Sequence, residues 1–213
     1  MEKLSPFKDC YVMQREDMDR FAATLADGFS QYDLFRHICG RVYDYDKMSL
    51  FWKVSLAILP PNAICIADSK NVNSVLVYIP PKSKEGGVFS YIKYGGLKML
   101  FKLGPASIVR LLRFDAEAKR AAKLYQKSGD GYLMAFATRI DKQGQHYGKP
   151  LVQALLEHLD SSGEGCYLET LKAGNVDLYK HFQFQLKESI NIPIGNLTMY
   201  AMHRPGAKAT CQI

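Results

Sequence analysis

Tyr132–Leu159 reads YLMAFATRIDKQGQHYGKPLVQALLEHL, and this stretch decides the fold. Tyr132–Ile140 is the strongest strand candidate in the chain. A polar loop, Asp141–Tyr147, leads into a helix from about Gly148 to Leu159. Pro150 suits the first helical turn, where a missing N–H costs least. A strand feeding a helix through glycines points free backbone N–H groups at one spot, and the helix dipole adds partial positive charge there. The loop is a possible pyrophosphate cradle or a plain glycine turn. It has neither the Gly-Lys-Ser/Thr ending of a Walker loop nor the three spaced glycines of a dinucleotide fingerprint.

Outward from this unit, helices and strands alternate. Tyr11 and Val12 sit in a short strand candidate, Asp9–Gln14. Met18, Phe21, Ala22 and Leu25 give an amphipathic helix with Gly28 as its C-cap. Asp46 caps a second helix, with Met48, Phe51, Trp52, Leu56 and Leu59 on its apolar side, ended by Pro60-Pro61. Ala63–Asp68 and Ser74–Ile79 read as a hairpin. After a polar stretch, Lys82–Gly87, two helices follow, one with Leu97, Leu100, Phe101 and Leu103 and one restarting at Pro105. Further on come a strand at Cys166–Leu171, a short helix at Asn175–Phe182, and a strand pair, Glu188–Ile192 and Leu197–His203, around Pro193–Asn196. The pattern predicts one α/β domain over residues 1–213, with a mixed, mostly antiparallel sheet and helices on both faces. A basic helical insert at 88–128 separates the third and fourth strands.

Composition narrows the function. The 213 residues are 47% hydrophobic and 23% charged, which excludes disordered and fibrous classes. The longest apolar run, Met48–Leu59, is too short to span a bilayer, and the first residues hold no apolar signal core. Five scattered cysteines (Cys10, Cys39, Cys65, Cys166, Cys211) without a C-x-x-C read as reduced thiols. The expectation is a cytoplasmic protein with no metal. Between Tyr91 and Lys127 nine basic residues face two acidic ones, the whole of the +7 net charge. That is either a solvated helical face or an anion-binding surface. Leu97, Leu100, Ile108 and Leu112 are expected to be buried beneath it, with no stable membrane association and no nucleic-acid partner. His37, His158, His181 and His203 show no ligand spacing, and Cys166 reads as a core residue.

Several spaced motifs agree with one family. Gln143-x-x-His146-x-Gly148, then Tyr167-Leu168-Glu169-Thr170, Asn175-Val176, Tyr179 and Phe182-Gln183-Phe184, with Val77–Pro81 earlier, resemble the GNAT family of acetyl-CoA-dependent N-acetyltransferases, in its puromycin N-acetyltransferase-like branch. His146 and Gln183 stand where that pattern has glycine.

The resemblance implies acetyl-CoA as co-substrate and a small-molecule amine as acceptor. Phe136, Ala137 and Thr138 would splay from the neighbouring strand and bind the pantetheine arm. Gln143, Gly144, Gln145, His146, Tyr147, Gly148 and Lys149 would hold the pyrophosphate. Asn175 would reach the pantetheine, or it is an N-cap. Tyr179 would protonate the leaving thiolate, or it only packs. Glu169 would deprotonate the incoming ammonium, or it is a strand-edge carboxylate. A monomer or homodimer is expected. A non-catalytic coenzyme A or acyl-CoA-binding module is the alternative.

Overall fold

The computed structural model describes residues 6–40, 42–84, 92–192 and 195–206. Cys211, the 85–87 end of the polar stretch, residues 88–91 of the insert and the Pro193-Ile194 half of the last turn lie outside them. The strands are β1 Tyr11–Val12, β2 Ile64–Ala67, β3 Ser74–Ile79, β4 Asp130–Thr138, β5 Gly165–Thr170, β6 Gln185–Ile192 and β7 Leu197–Arg204. The α-helices are α1 Met18–Gly28, α2 Asp33–Cys39, α3 Tyr45–Ala57, α4 Gly96–Leu103, α5 Pro105–Tyr125, α6 Lys149–Ser162 and α7 Ala173–His181. The strands form one sheet in the order β1-β2-β3-β4-β5-β7-β6. Every pairing is antiparallel except β4 with β5.

Two apolar layers sandwich the sheet, because its strands alternate inward and outward side chains. One joins α1–α5 to Val75, Val77, Ala135 and Tyr167. The other joins α6 and α7 to Leu76, Tyr78, Leu133 and Leu168.

Three helix ends differ from the sequence reading. Asp44, not Asp46, caps α3, accepting from the Lys47 amide at 3.0 Å. Asn175 lies inside α7, which begins at Ala173. Gly28 is the last residue of α1 rather than a left-handed cap. A Cβ there would stand 2.8 Å from the Thr138 carbonyl oxygen and 2.9 Å from Ala137 Cβ. The missing side chain lets α1 touch β4. An Asp27 carboxylate oxygen accepts from the Ile140 amide at 2.7 Å and pins the same junction.

Helix α2 has no counterpart in the sequence reading. Its signal is short: Leu34 and Ile38 four apart, both buried, and Gly40 at φ +92° closing the last turn.

The insert corrects a larger expectation. Leu97 is 52% exposed, Leu100 36% and Leu112 60%, and Ile108 is half-buried. Helix α4 turns Gly96, Met99 and Leu103 inward instead, and α5 buries Ser107 and Ala121.

Candidate functional site

Strand β4 pairs with β3 from Ile79↔Tyr132 to Ser74↔Thr138, with one register shift opposite Val77 and Tyr78 that leaves Met134 without a partner in the register. On its other side it pairs with β5 only from Asp130↔Gly165 to Tyr132↔Tyr167. Beyond Tyr132 the two strands part. The backbone edge of β4 from Leu133 to Thr138 therefore faces an opening.

A cavity of about 460 Å³ fills that opening. All seven residues from Tyr132 to Thr138 line it, together with Glu169, Thr170, Gln143, Asn175 and Tyr179. These β4 residues belong to both apolar layers, Tyr132, Met134, Ala135 and Ala137 to one and Leu133 and Phe136 to the other, so the cavity passes through the sheet. Of the expected site residues, Phe136, Ala137, Thr138, Gln143, Asn175, Tyr179 and Glu169 meet at this one place. Gly144, Gln145, His146, Tyr147, Gly148 and Lys149 do not line it.

Those six residues form the adjoining turn into α6. Among the described residues, the Gly144, His146, Tyr147 and Gly148 amides have no acceptor. The turn has Gly144 at φ +77° and His146 at φ +64°. His146 thus adopts a left-handed backbone at a cost of about 1–2 kcal/mol, and its side chain is exposed. Gln183 does the same at φ +67°. Gly148 has an ordinary helical φ, and a Cβ on it would lie 2.6 Å from Phe136 Cζ. The constraint at Gly148 is therefore contact with a β4 ring.

Glu169 stands on β5 with its Oε2 accepting from the Tyr132 hydroxyl at 2.8 Å. Burial raises its pKa to about 7, against the opposing pull of the Tyr132 and Tyr167 hydroxyls. The Tyr132 and Tyr167 rings stack with centroids 6.1 Å apart. Burial raises both phenols. Tyr179 is buried from the α6–α7 side, edge-on to Phe184 at 5.6 Å. Burial, and then neighbouring Tyr32, raise its pKa, so it stays a neutral donor. The Asn175 amide donates to Thr170 Oγ1 at 3.1 Å, tying α7 to β5. Cys166 is fully buried with a raised pKa, as befits a core thiol.

The sequence reading missed the other wall. Phe29, Tyr32, Phe35, Phe51, Trp52 and Phe114 line the cavity from α1–α3 and α5. Phe29 stacks on Trp52 at 5.2 Å, and Phe35 and Phe51 lie 5.5 and 5.3 Å from the same indole. The Tyr32 hydroxyl lies 2.7 Å from Thr170 Oγ1 and accepts from the Leu171 amide at 3.2 Å, which carries it to the end of β5 beside Asn175. Among the described residues, the acidic ones lining the cavity are Asp115 and Glu169, and the basic one is Lys172. Trp52 and Phe51 read as core positions in the sequence, and nothing local marks Tyr32 or Phe114.

No family model matches the chain. Solved structures do resemble it. An acetyltransferase from Corynebacterium glutamicum, described as histone acetyltransferase HPA2 and related, is 18% identical, with 93% of this chain and 97% of that one covered at a TM-score of 0.58. A Drosophila melanogaster polyamine N-acetyltransferase that forms N-acetylagmatine is 9% identical over 92% and 98%, at 0.59. An agmatine N-acetyltransferase is 10% identical over 93% and 100%, at 0.60. At these identities the likeness is one of architecture, and it extends over nearly the whole chain: this protein is built on the fold of the GCN5-related N-acetyltransferases.

Proposed function

We propose that the protein transfers an acetyl group from acetyl-CoA to the primary amine of a small molecule, by direct attack in a ternary complex. One observation carries this reading: a single cavity joins an open strand edge, a carboxylate with a pKa near 7 and a neutral buried phenol. The solved N-acetyltransferases of the same fold support it. The motifs at Tyr167–Thr170, Asn175 and Tyr179 favour the puromycin N-acetyltransferase-like branch.

The groove suits coenzyme A. The free β4 edge offers strand-type hydrogen bonds to the two amides of a pantetheine arm. The four unpaired amides at the start of α6 suit a pyrophosphate, helped by the helix dipole. Acetyl-CoA, when bound, supplies the acetyl group as an activated thioester. Phe136–Thr138 and Gln143 hold and orient it. Glu169, whose pKa burial raises to about 7, takes the proton from the acceptor's ammonium. The freed amine forms the new C–N bond as the C–S bond breaks. Tyr179 gives the departing sulfur a proton and is reprotonated by the proton that the new amide nitrogen sheds, so the phenol ends neutral. The aromatic wall excludes water and strengthens each of these interactions.

That wall also selects the acceptor. Six rings and two carboxylates suit one cationic amine on an apolar or aromatic body, and they leave little to pair with a second distant cation. A panel of amines assayed for thiol release from acetyl-CoA tests the reaction. Aryl- and alkyl-monoamines should turn over faster than polyamines. Trp52 is the sole tryptophan and lines the cavity, so quenching of its fluorescence reports amine entry independently of turnover. Coenzyme A binding without thiol release for any amine that enters would leave the non-catalytic binding module as the function.

A further inference from the structure

Helix α4 presents the wrong face to solvent for an ordinary surface helix. Its buried stripe is Gly96, Met99 and Leu103, at the i, i+3, i+7 spacing, against α3 and α5. At 100° per residue, Leu97 and Phe101 stand opposite that stripe, with Leu100 to one side. Phe101 is 88% exposed. Lys98 and Lys102, four residues apart, flank the apolar residues on the other side, and both are exposed. Just before the helix, exposed Ile92 and Tyr94 continue the mixture, and the Lys93 ammonium lies 5.6 Å from the Tyr94 ring centroid.

The charge is equally one-sided. From Gly86 to Phe114 the sequence contains five basic residues and no acidic one. Among the described carboxylates, Asp44 feels Lys102, and Asp115, one turn into the next stretch, pairs with Lys119.

We propose that the outer face of α4, Leu97, Leu100 and Phe101 between Lys93, Lys98 and Lys102, docks the protein on an anionic lipid surface. Apolar side chains of this kind enter the boundary between headgroups and acyl chains, while lysine stems reach back to the phosphates. Among the described residues no helix is long and apolar enough to cross a membrane, so the contact is peripheral. Charge complementarity alone also suits a nucleic acid, but phosphate backbones offer nothing to exposed leucines, and bases stack on rings rather than on Leu97 and Leu100. This departs from the expectation of no stable membrane association, since Leu97 and Leu100 are exposed where burial was expected. It stands apart from the acetyl-transfer reading, since none of these residues lines the cavity.

The test is co-sedimentation of the full chain with phosphatidylcholine vesicles, with and without phosphatidylglycerol, at low and high salt. The expected result is binding to the anionic vesicles that falls as salt rises. Phe101→Ser and Leu97→Ser should each weaken it by about tenfold. Lys98→Glu with Lys102→Glu should abolish it. All these positions are exposed, and circular dichroism with thermal melting of the same variants checks that they fold. No binding to anionic vesicles, equal binding to neutral ones, or unchanged binding by Phe101→Ser would overturn the proposal. So would self-association of the free protein that Phe101→Ser removes, which would assign the face to a second copy.

Discussion

The two walls of the cavity are built by different rules. The β4 wall and the turn that adjoins it are made by one continuous stretch, in which a strand, a glycine-containing turn and a helix follow each other within 28 residues (132–159). The opposite wall gathers Phe29 and Tyr32 from the α1–α2 junction, Trp52 from α3 and Phe114 from α5, across more than 80 residues of sequence. The first wall depends on backbone geometry, with free amides and an unpaired strand edge. The second depends on side chains, with stacked rings and the Asp115 carboxylate. Substitutions in the first should therefore act on cofactor affinity and folding, and those in the second on the acceptor.

The catalytic groups lie between the walls and should give the largest effects. Glu169→Gln keeps the shape of the side chain and removes its basicity. Turnover should fall by about 10²–10⁴-fold. In the unchanged protein kcat/KM should rise with pH through about 7, because the carboxylate must be ionised to accept a proton. The same raised pKa makes a stability prediction of definite sign. A carboxyl that is harder to ionise when folded contributes stability that is fully present below its unfolded pKa and lost as pH rises through about 7. Glu169→Gln should therefore melt no lower than the parent at pH 8, while losing turnover. A pH-independent parent rate would remove Glu169 from the mechanism.

Tyr179→Phe comes next. If its hydroxyl protonates the thiolate, turnover should drop by about 10²-fold with coenzyme A affinity intact. The comparison is Tyr32→Phe, whose hydroxyl reaches the end of β5 from the other wall through Thr170 and Leu171. A larger loss in Tyr32→Phe than in Tyr179→Phe would move the acid to the acceptor side.

Smaller effects test the junction of the walls. Gly28→Ala places a methyl group against the Thr138 carbonyl and Ala137. It should destabilise the fold by about 1–3 kcal/mol, since both contacts belong to a fixed strand. Denaturant midpoints measure this. The smallest expected change is a gain. His146→Gly removes a side chain from a left-handed backbone position and should stabilise the protein by about 1 kcal/mol. Coenzyme A affinity in that variant, measured by calorimetry, shows whether the imidazole helps or crowds the cradle. His146→Gly with unchanged stability would mean that the turn relaxes on its own.

Much of this is legible in the amino-acid sequence. The short β-branched run at Ser74–Ile79 and the apolar run at Tyr132–Thr138 mark strands, because central strands covered on both faces are apolar nearly throughout. The turn into α6 is readable from its glycines and from Pro150, which act locally. Gln183, standing in a glycine position, keeps a left-handed backbone, so the conformation survives where the residue type that usually signals it does not. The basic excess of 91–127 is a matter of counting. Three things were decided by tertiary packing. Whether Leu97 and Leu100 face inward depends on which side of α4 meets α3, and an eight-residue helix with five large apolar residues has two plausible inner faces. The separation of β4 from β5 beyond Tyr132 is set by how two distant strands diverge, and neither strand encodes it alone. Glu169 has a pKa near 7 because burial outweighs the stabilising hydrogen bonds that the Tyr132 and Tyr167 hydroxyls give its carboxylate, and desolvation belongs to the assembled site and not to any stretch of sequence.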